Sequence, residues 1–244
     1  MFLKALAGLL LGFIVQEAPK VQKSEKAYTR FSSGIERLVQ VHGNTVAGCA
    51  ERGDCLINSK LDLLLLASVN YRESRMMDPS PEGDCRRGHR LDHLPSGSWP
   101  AGYKPSIHVI CNAVGPMQLN KGAGYQAQLW PEVRQEFPDR DWKKDPLDAK
   151  ELKDSAVSSK MGYAVLKHWK SQCTDAEGAA APVGVWLTAY RYGRCPGKRG
   201  KYHVDAEAKL RCDMTNELAT SLAKDPTSGF GEAQVALCTY PKKT

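Results

Sequence analysis

The segment Ser59-Lys-Leu-Asp-Leu-Leu-Leu-Leu-Ala-Ser-Val-Asn-Tyr71 constrains the fold more than any other part of the chain. At 3.6 residues per turn, Leu61, Leu63, Leu64, Leu65, Leu66, Ala67 and Val69 cover almost the whole circumference of a helix. A helix that is apolar all round must be covered on every side. A buried strand is the competing reading, but the run is long and rich in leucine rather than β-branched residues. Asn58 or Ser59 can cap its start. The rest of the domain therefore has to supply the elements that enclose this one.

The remaining patterns supply mostly helices. Tyr28, Phe31, Ile35 and Leu38 recur at spacings of three and four, with Gly43 and Asn44 as an end signal and Thr45 to Asn58 as a loop. Tyr125, Leu129 and Val133 suggest a short helix started or interrupted near Pro131. Asp145-Pro-Leu-Asp148 reads as a helix start, with Leu152, Ala156, Tyr163 and Leu166 on one face. Val183, Trp186, Leu187 and Tyr190 form a further stripe, and Leu210, Met214, Leu218 and Leu222 a last one. Residues 78–112, with their prolines and glycines, read as a long loop with little regular structure. No strong strand pair, internal repeat or low-complexity tract is visible. The expected class is mainly α, a single globular helical domain with a long, disulfide-tethered loop.

A chain of 244 residues can bury a sizeable core, so its eight cysteines need their own explanation. There is no CxxC pair, and His89, His93 and His108 lack ligand spacing around Cys85 and Cys111. Structural disulfides in an oxidising compartment are the better reading. Eight cysteines allow 105 connectivities; Cys85–Cys111 is the one pair suggested here. The N-terminus agrees with export. Lys4 precedes an apolar run from Ala5 to Val15, shorter than the about 20 residues that span a bilayer and suited to a signal-peptide core. Ala18, before Pro19, is the candidate processing position. An uncleaved or lipid-surface anchor and a buried N-terminal helix are the alternatives. The expected organisation is 1–22 as signal peptide or anchor plus linker, then one domain over 23–244, located in the periplasm or outside the cell. The net charge of +7 suits an anionic partner without choosing among nucleic acid, anionic lipid and acidic wall polymer.

Chemistry is expected at Asn70-Tyr-Arg-Glu-Ser-Arg75, where the apolar helix ends. A carboxylate at Glu73 is disfavoured both by burial and by the negative end of the helix dipole. Both effects raise its pKa, as a general acid working near neutral pH requires. A surface ion pair with Arg72 or Arg75 is the competing reading. Asp78, a conceivable second carboxylate, is better placed in an Asp-Pro turn. Three further segments bear on the choice: Gly115-Pro-Met-Gln-Leu-Asn120, Asp145-Pro-Leu-Asp148 and Ala189-Tyr-Arg-Tyr-Gly193.

In this order the segments resemble the lytic transglycosylase (SLT-type) family, whose fold is related to goose-type lysozyme and belongs to the lysozyme-like α+β superfamily. The family's Glu-Ser motif corresponds to Glu73-Ser74, and its Gly-Leu-Met-Gln motif to Gly115-Pro116-Met117-Gln118. Its Ala-Tyr-Asn-Ala-Gly motif corresponds to Ala189-Tyr190-Arg191-Tyr192-Gly193. The departures are Pro116 for Leu, Arg191 for Asn and Tyr192 for Ala, and the resemblance covers roughly residues 56–197. It implies cleavage of the MurNAc–GlcNAc β-1,4 bond of peptidoglycan with a 1,6-anhydro product and no cofactor. Glu73 would be general acid and then base. Ser74 would orient it, Met117 and Gln118 would line sugar subsites, and Tyr190 would hydrogen-bond near Glu73 or the substrate. Arg191 would either lower the pKa of Glu73 or hold a substrate carboxylate. The glycan strand is the implied partner, with association at the membrane periphery or an envelope complex left open. A hydrolytic muramidase, phage-derived or not, and an inactive glycan-binding or structural protein are the alternatives.

Other residues carry less. Trp169 and Trp186 belong to helical stripes and are expected in the core, whereas Trp99, in the loop, is the better sugar platform. The basic stretch Arg194–Lys201 lacks the aromatic interleaving and fold motif of a nucleic-acid site, so no nucleic-acid partner is expected. No metal site is expected.

Overall fold

The computed structural model describes residues 1–19, 23, 25–76, 83–86, 110–114, 117, 119–120, 130–142, 144–145, 147, 150–175, 177–198, 201–231 and 238–239. It is mainly helical. In chain order the elements are α1 (Phe2–Glu17), α2 (Glu25–Arg52), α3 (Ser59–Ser74), β1 (Gly83–Arg86), β2 (Ile110–Val114), β3 (Leu119–Asn120) and α4 (Pro131–Glu136). A 3-10 turn (Glu151–Lys153), α5 (Ser155–Gln172), α6 (Val183–Tyr192), β4 (Gly197–Lys198), β5 (Lys201–Tyr202) and α7 (Ala206–Lys224) follow.

Helix α3 is the centre, as its composition requires. Every residue from Leu61 to Tyr71 is buried, and α2 and α7 pack along it, with α5 touching a third side. The Asn58 side chain caps it by accepting from the Leu61 N–H at 3.1 Å. Asp62 is buried with it and ties down the preceding loop. Its carboxylate accepts from the Leu56 N–H (2.7 Å), the Ile57 N–H (2.9 Å) and the Tyr163 hydroxyl (2.5 Å). The helix ends abruptly, with both Arg75 and Met76 at φ 55°. Two consecutive non-glycine residues in the left-handed region are strained, by about 1 kcal/mol or more each. They turn the chain away one residue after Ser74.

Several boundaries differ from the sequence expectation. Helix α2 does not stop at Gly43 and Asn44 but continues to Arg52. Glycine costs a helix about 1 kcal/mol relative to alanine. Here the burial of Val46 and Cys49 outweighs that cost, and Leu3 of α1 seats against Gly43, where a Cβ would lie 3.3 Å from it. Asp145 does not start a helix. Asp154 does, its carboxylate accepting from the N–H groups of Ala156 (2.9 Å) and Val157 (3.0 Å) at the head of α5. Residues 78–112, read as a long loop with little regular structure, contribute β1 and the start of β2 to an antiparallel sheet in the order β1-β2-β3, and Cys85 stands opposite Cys111 in its register. Arg194–Lys201, read as a loop, contributes to the β4-β5 hairpin.

Disulfides join Cys49 to Cys55, Cys173 to Cys195 and Cys212 to Cys238; among the described residues no cysteine is free. Helix α1 packs on α2 and reaches α7, burying Leu6, Leu10 and Ile14. No helix among the described residues is long and apolar enough to cross a membrane. Trp169 and Trp186 are buried in the core.

Candidate functional site

The site is built where the C-terminal end of α3 meets α6, α7 and the segment around Met117. Glu73 is the penultimate residue of α3. Because α3 is enclosed along its length, its end opens at the surface of the core rather than in free solvent, and the Glu73 side chain keeps 20 % of its surface exposed. Burial pushes its carboxyl above the ordinary 4.5; Arg211 opposes that, Glu207 reinforces it, and Arg191 and Arg72 oppose it more weakly.

Tyr190, on α6, donates its hydroxyl to the Met117 carbonyl at 2.8 Å. Burial and the neighbouring Glu73 charge push its phenol up, so it stays protonated and a donor. This bond joins two of the sequence motifs directly. Helix α6 can present Tyr190 so close to its own end because Gly193 takes φ 67° and closes the last turn, its N–H donating to the Ala189 carbonyl.

Met117 is fully buried. Its N–H donates to Ser158 Oγ (3.2 Å), and Asn70 Nδ2 approaches its sulfur at 3.9 Å. The side chain lies on Gly162 of α5, where a Cβ would come within 2.7 Å of it. Met117, expected to line a sugar subsite, is thus enclosed by α3 and α5. It wedges its segment between α3 and α5 and presents the carbonyl that receives Tyr190.

Ser74 is also buried, and its hydroxyl donates to the Asn70 carbonyl at 3.3 Å rather than to Glu73. Arg191 is about half exposed and pairs with Asp205 at 3.0 Å. Its charge reaches Glu73 through space, not by contact. Gln118 lies outside the described residues, as do Asp78, His89, His93, Trp99, His108, Gly115 and Pro116.

Neither arginine expected to pair with Glu73 does so. Arg72 binds Glu207 with two bonds (2.8 and 3.1 Å), and Arg75 binds Glu17 of α1 (3.0 Å). The partner is Arg211, on α7. Its side chain is 3 % exposed, and Nη2 donates to Glu73 Oε1 at 2.5 Å. Nη1 reaches the Leu187 carbonyl (3.4 Å), and the guanidinium lies 5.9 Å from the Tyr190 ring centroid. The sequence stripe through Leu210 concealed this residue. Leu210 is 46 % exposed, and the buried face runs instead through Arg211, Thr215, Leu218 and Leu222. An arginine at three-and-four spacing within an apolar stripe was the available signal, since a buried cation requires a buried partner.

No described residues form a built metal centre. Cys49, Cys55 and Asp62 converge, but both sulfurs are spent in a disulfide, which leaves no thiolate to ligate. Chemically, the arrangement offers one carboxyl of raised pKa, a buried phenol and a cluster of cations around them. Comparison with protein-family models, with curated proteins and with solved structures finds no match for this chain.

Proposed function

We propose that the protein is an exported lytic transglycosylase that cleaves the MurNAc–GlcNAc β-1,4 bond of peptidoglycan. The observation that carries this reading is Glu73: a carboxyl of raised pKa at the mouth of an enclosed helix, beside a tyrosine anchored to the Met117 segment.

In the proposed reaction Glu73 gives its proton to the glycosidic oxygen as the bond to the muramoyl anomeric carbon breaks. The resulting carboxylate then takes the proton of the muramoyl 6-hydroxyl, whose oxygen attacks that carbon. The product is a 1,6-anhydro sugar, Glu73 regains its proton, and no water is consumed. Most glycosidases use two carboxylates. Here Glu207, the other carboxylate whose charge reaches Glu73, has both oxygens held by Arg72, which supports a one-carboxylate mechanism. Arg191, half exposed and paired with Asp205, is the cation proposed to meet the lactyl or peptide carboxylate of the glycan. The net charge of +7 suits an acidic wall polymer. The disulfides suit an oxidising compartment outside the cytoplasm.

One observation favours a second reading. A general acid bonded to a buried arginine is also what a glycan-binding protein without catalysis could retain. Digestion of purified peptidoglycan with mass spectrometry of the products decides between them. Anhydro-ended muropeptides are the expected result, reducing ends indicate a hydrolase, and intact glycan with retained binding indicates the inactive form.

A further inference from the structure

We infer that Arg211 is a positioning residue for Glu73: by holding Oε1 it fixes which carboxylate oxygen faces the substrate. The inference rests on the functional reading above.

Arg211 is held with little freedom. Its side chain is almost wholly buried, its Nη1 meets the Leu187 carbonyl, and its Nη2 binds Glu73 Oε1. A guanidinium so enclosed cannot swing into solvent without opening the contact between α6 and α7. Oε1 of Glu73 is thereby occupied, and no described residue bonds Oε2. Oε2 is the oxygen left to carry a proton to a glycosidic oxygen.

The charges facing Glu73 come from every element packed around it. Arg72 precedes it on α3, and Arg75, one turn further, is neutralised by Glu17 of α1. Helix α6 brings Tyr190, which is protonated, and Arg191, which Asp205 neutralises in part. Helix α7 brings Arg211 and Glu207. Glu207 lies 4.0 Å from Arg211 Nε and takes both bonds from Arg72. Arg211 and Glu207 therefore act on Glu73 with opposite sign from the same helix. Burial pushes the proton on, Arg211 pushes it off, and Glu207 tempers Arg211. Removing either residue should move the titration of Glu73, and in opposite directions. A merely structural role would not produce that reversal.

The test uses the full-length, disulfide-intact protein labelled with carboxyl-¹³C glutamate. The Glu73 resonance is identified by its loss in Glu73→Gln and followed by NMR across pH in wild type, Arg211→Gln, Arg211→Lys and Glu207→Gln. The expected result is an upward shift of about one pH unit or more in Arg211→Gln, since an opposite charge at this distance shifts a carboxyl by about one to three units. A downward shift is expected in Glu207→Gln, with Arg211→Lys between wild type and Arg211→Gln. Shifts of the same sign in the two Gln variants, or an unmoved Glu73 in Arg211→Gln, overturn the inference. If Arg211→Gln fails to fold, Glu207→Gln and Arg211→Lys decide by the same signs. Each sample is also assayed on purified peptidoglycan. Wild type that does not cleave glycan sinks the functional reading and leaves the NMR signs to judge Arg211. Wild type that cleaves glycan, with an alkaline limb that Arg211→Gln leaves in place, overturns the role of Arg211 and spares the function.

Discussion

Nη2 of Arg211 donates to Oε1 of Glu73 at 2.5 Å across 138 residues of chain. The pair is partly enclosed, with Arg211 the buried member and Glu73 the one that retains contact with solvent. That asymmetry is what a carboxyl needs if it is to be held by the protein on one side and meet a ligand on the other.

Glu73→Gln, which keeps the shape and removes the proton, is expected to reduce glycan cleavage about a thousandfold or more while the chain still folds. Circular dichroism checks the fold and muropeptide mass spectrometry the activity; retained turnover would remove Glu73 from the mechanism. In wild type the group must be protonated to act as an acid. Activity should therefore fall as pH rises through its folded pKa, and burial puts that limb above 4.5. The stability linkage has the same sign. The folded state binds more protons than the unfolded one above 4.5, so the Glu73 contribution is present at low pH and lost as pH rises through the folded pKa.

His42 gives the opposite dependence. It is fully buried on α2, and its Nδ1 shares a 2.7 Å hydrogen bond with Ser159 Oγ, which also bonds Thr45 Oγ1 at 2.8 Å. Burial pushes its pKa down to about 3 from the ordinary 6.5. Between those values the unfolded chain takes up a proton that the folded chain refuses, so stability is full above 6.5 and falls as pH drops. From pH 6.5 to 5 the loss from this group should be about 2 kcal/mol. Urea unfolding at several pH values should show that slope in wild type and a shallower one in His42→Gln. Equal slopes would mean that His42 is not held neutral.

Gly162 and Met117 should behave as a coupled pair. Gly162→Ala places a methyl against the Met117 side chain and should cost about 1–3 kcal/mol. Met117→Ala alone leaves a cavity worth about 2–5 kcal/mol. In the double variant the new methyl fills part of that space, so the two costs should sum to at least about 1 kcal/mol more than the measured total. Simple additivity in denaturant melts would show that the two side chains do not meet.

The disulfides should rank by the loops they close. Cys212–Cys238 spans a separation of 26 and Cys49–Cys55 one of 6. Chain-entropy reasoning puts their loss at about 3–4 and about 2 kcal/mol respectively. Paired serine substitutions compared by reversible unfolding test the order. Intact mass before and after reduction and alkylation tests the pairing itself, and free thiols at these positions would contradict the connectivity described here.

Much of the frame was legible in the residues because its causes are local. Leucines on every face of 61–71 favoured a buried helix over a buried strand, and the stripe 183–190 read as helical, though packing encloses that helix from Val183 to Ala189 rather than on one face alone. Glu73 stood out because an apolar segment ended at a carboxylate. The errors arose where distant chain decides. Gly43 and Asn44 carry the marks of a helix end, yet α1 and the core hold α2 straight through them. Asp145 and Asp154 are both good caps, and only the position of α5 selects the second. Leu210 fits the arithmetic of a stripe, but the docking angle of α7 turns Arg211 inward in its place.

The amino-acid sequence alone determined that a carboxyl would stand at the end of an enclosed helix, since hydrophobic periodicity and burial are written into neighbouring residues. Which cation would meet that carboxyl, and which hydroxyl would anchor Met117 beside it, was decided by tertiary packing. Arg72 and Arg75 were the near candidates in sequence, but Glu207 and Glu17 hold them. The partner of Glu73 came from α7, because the energy of a buried charge depends on which groups surround it in space and not on how far along the chain they lie.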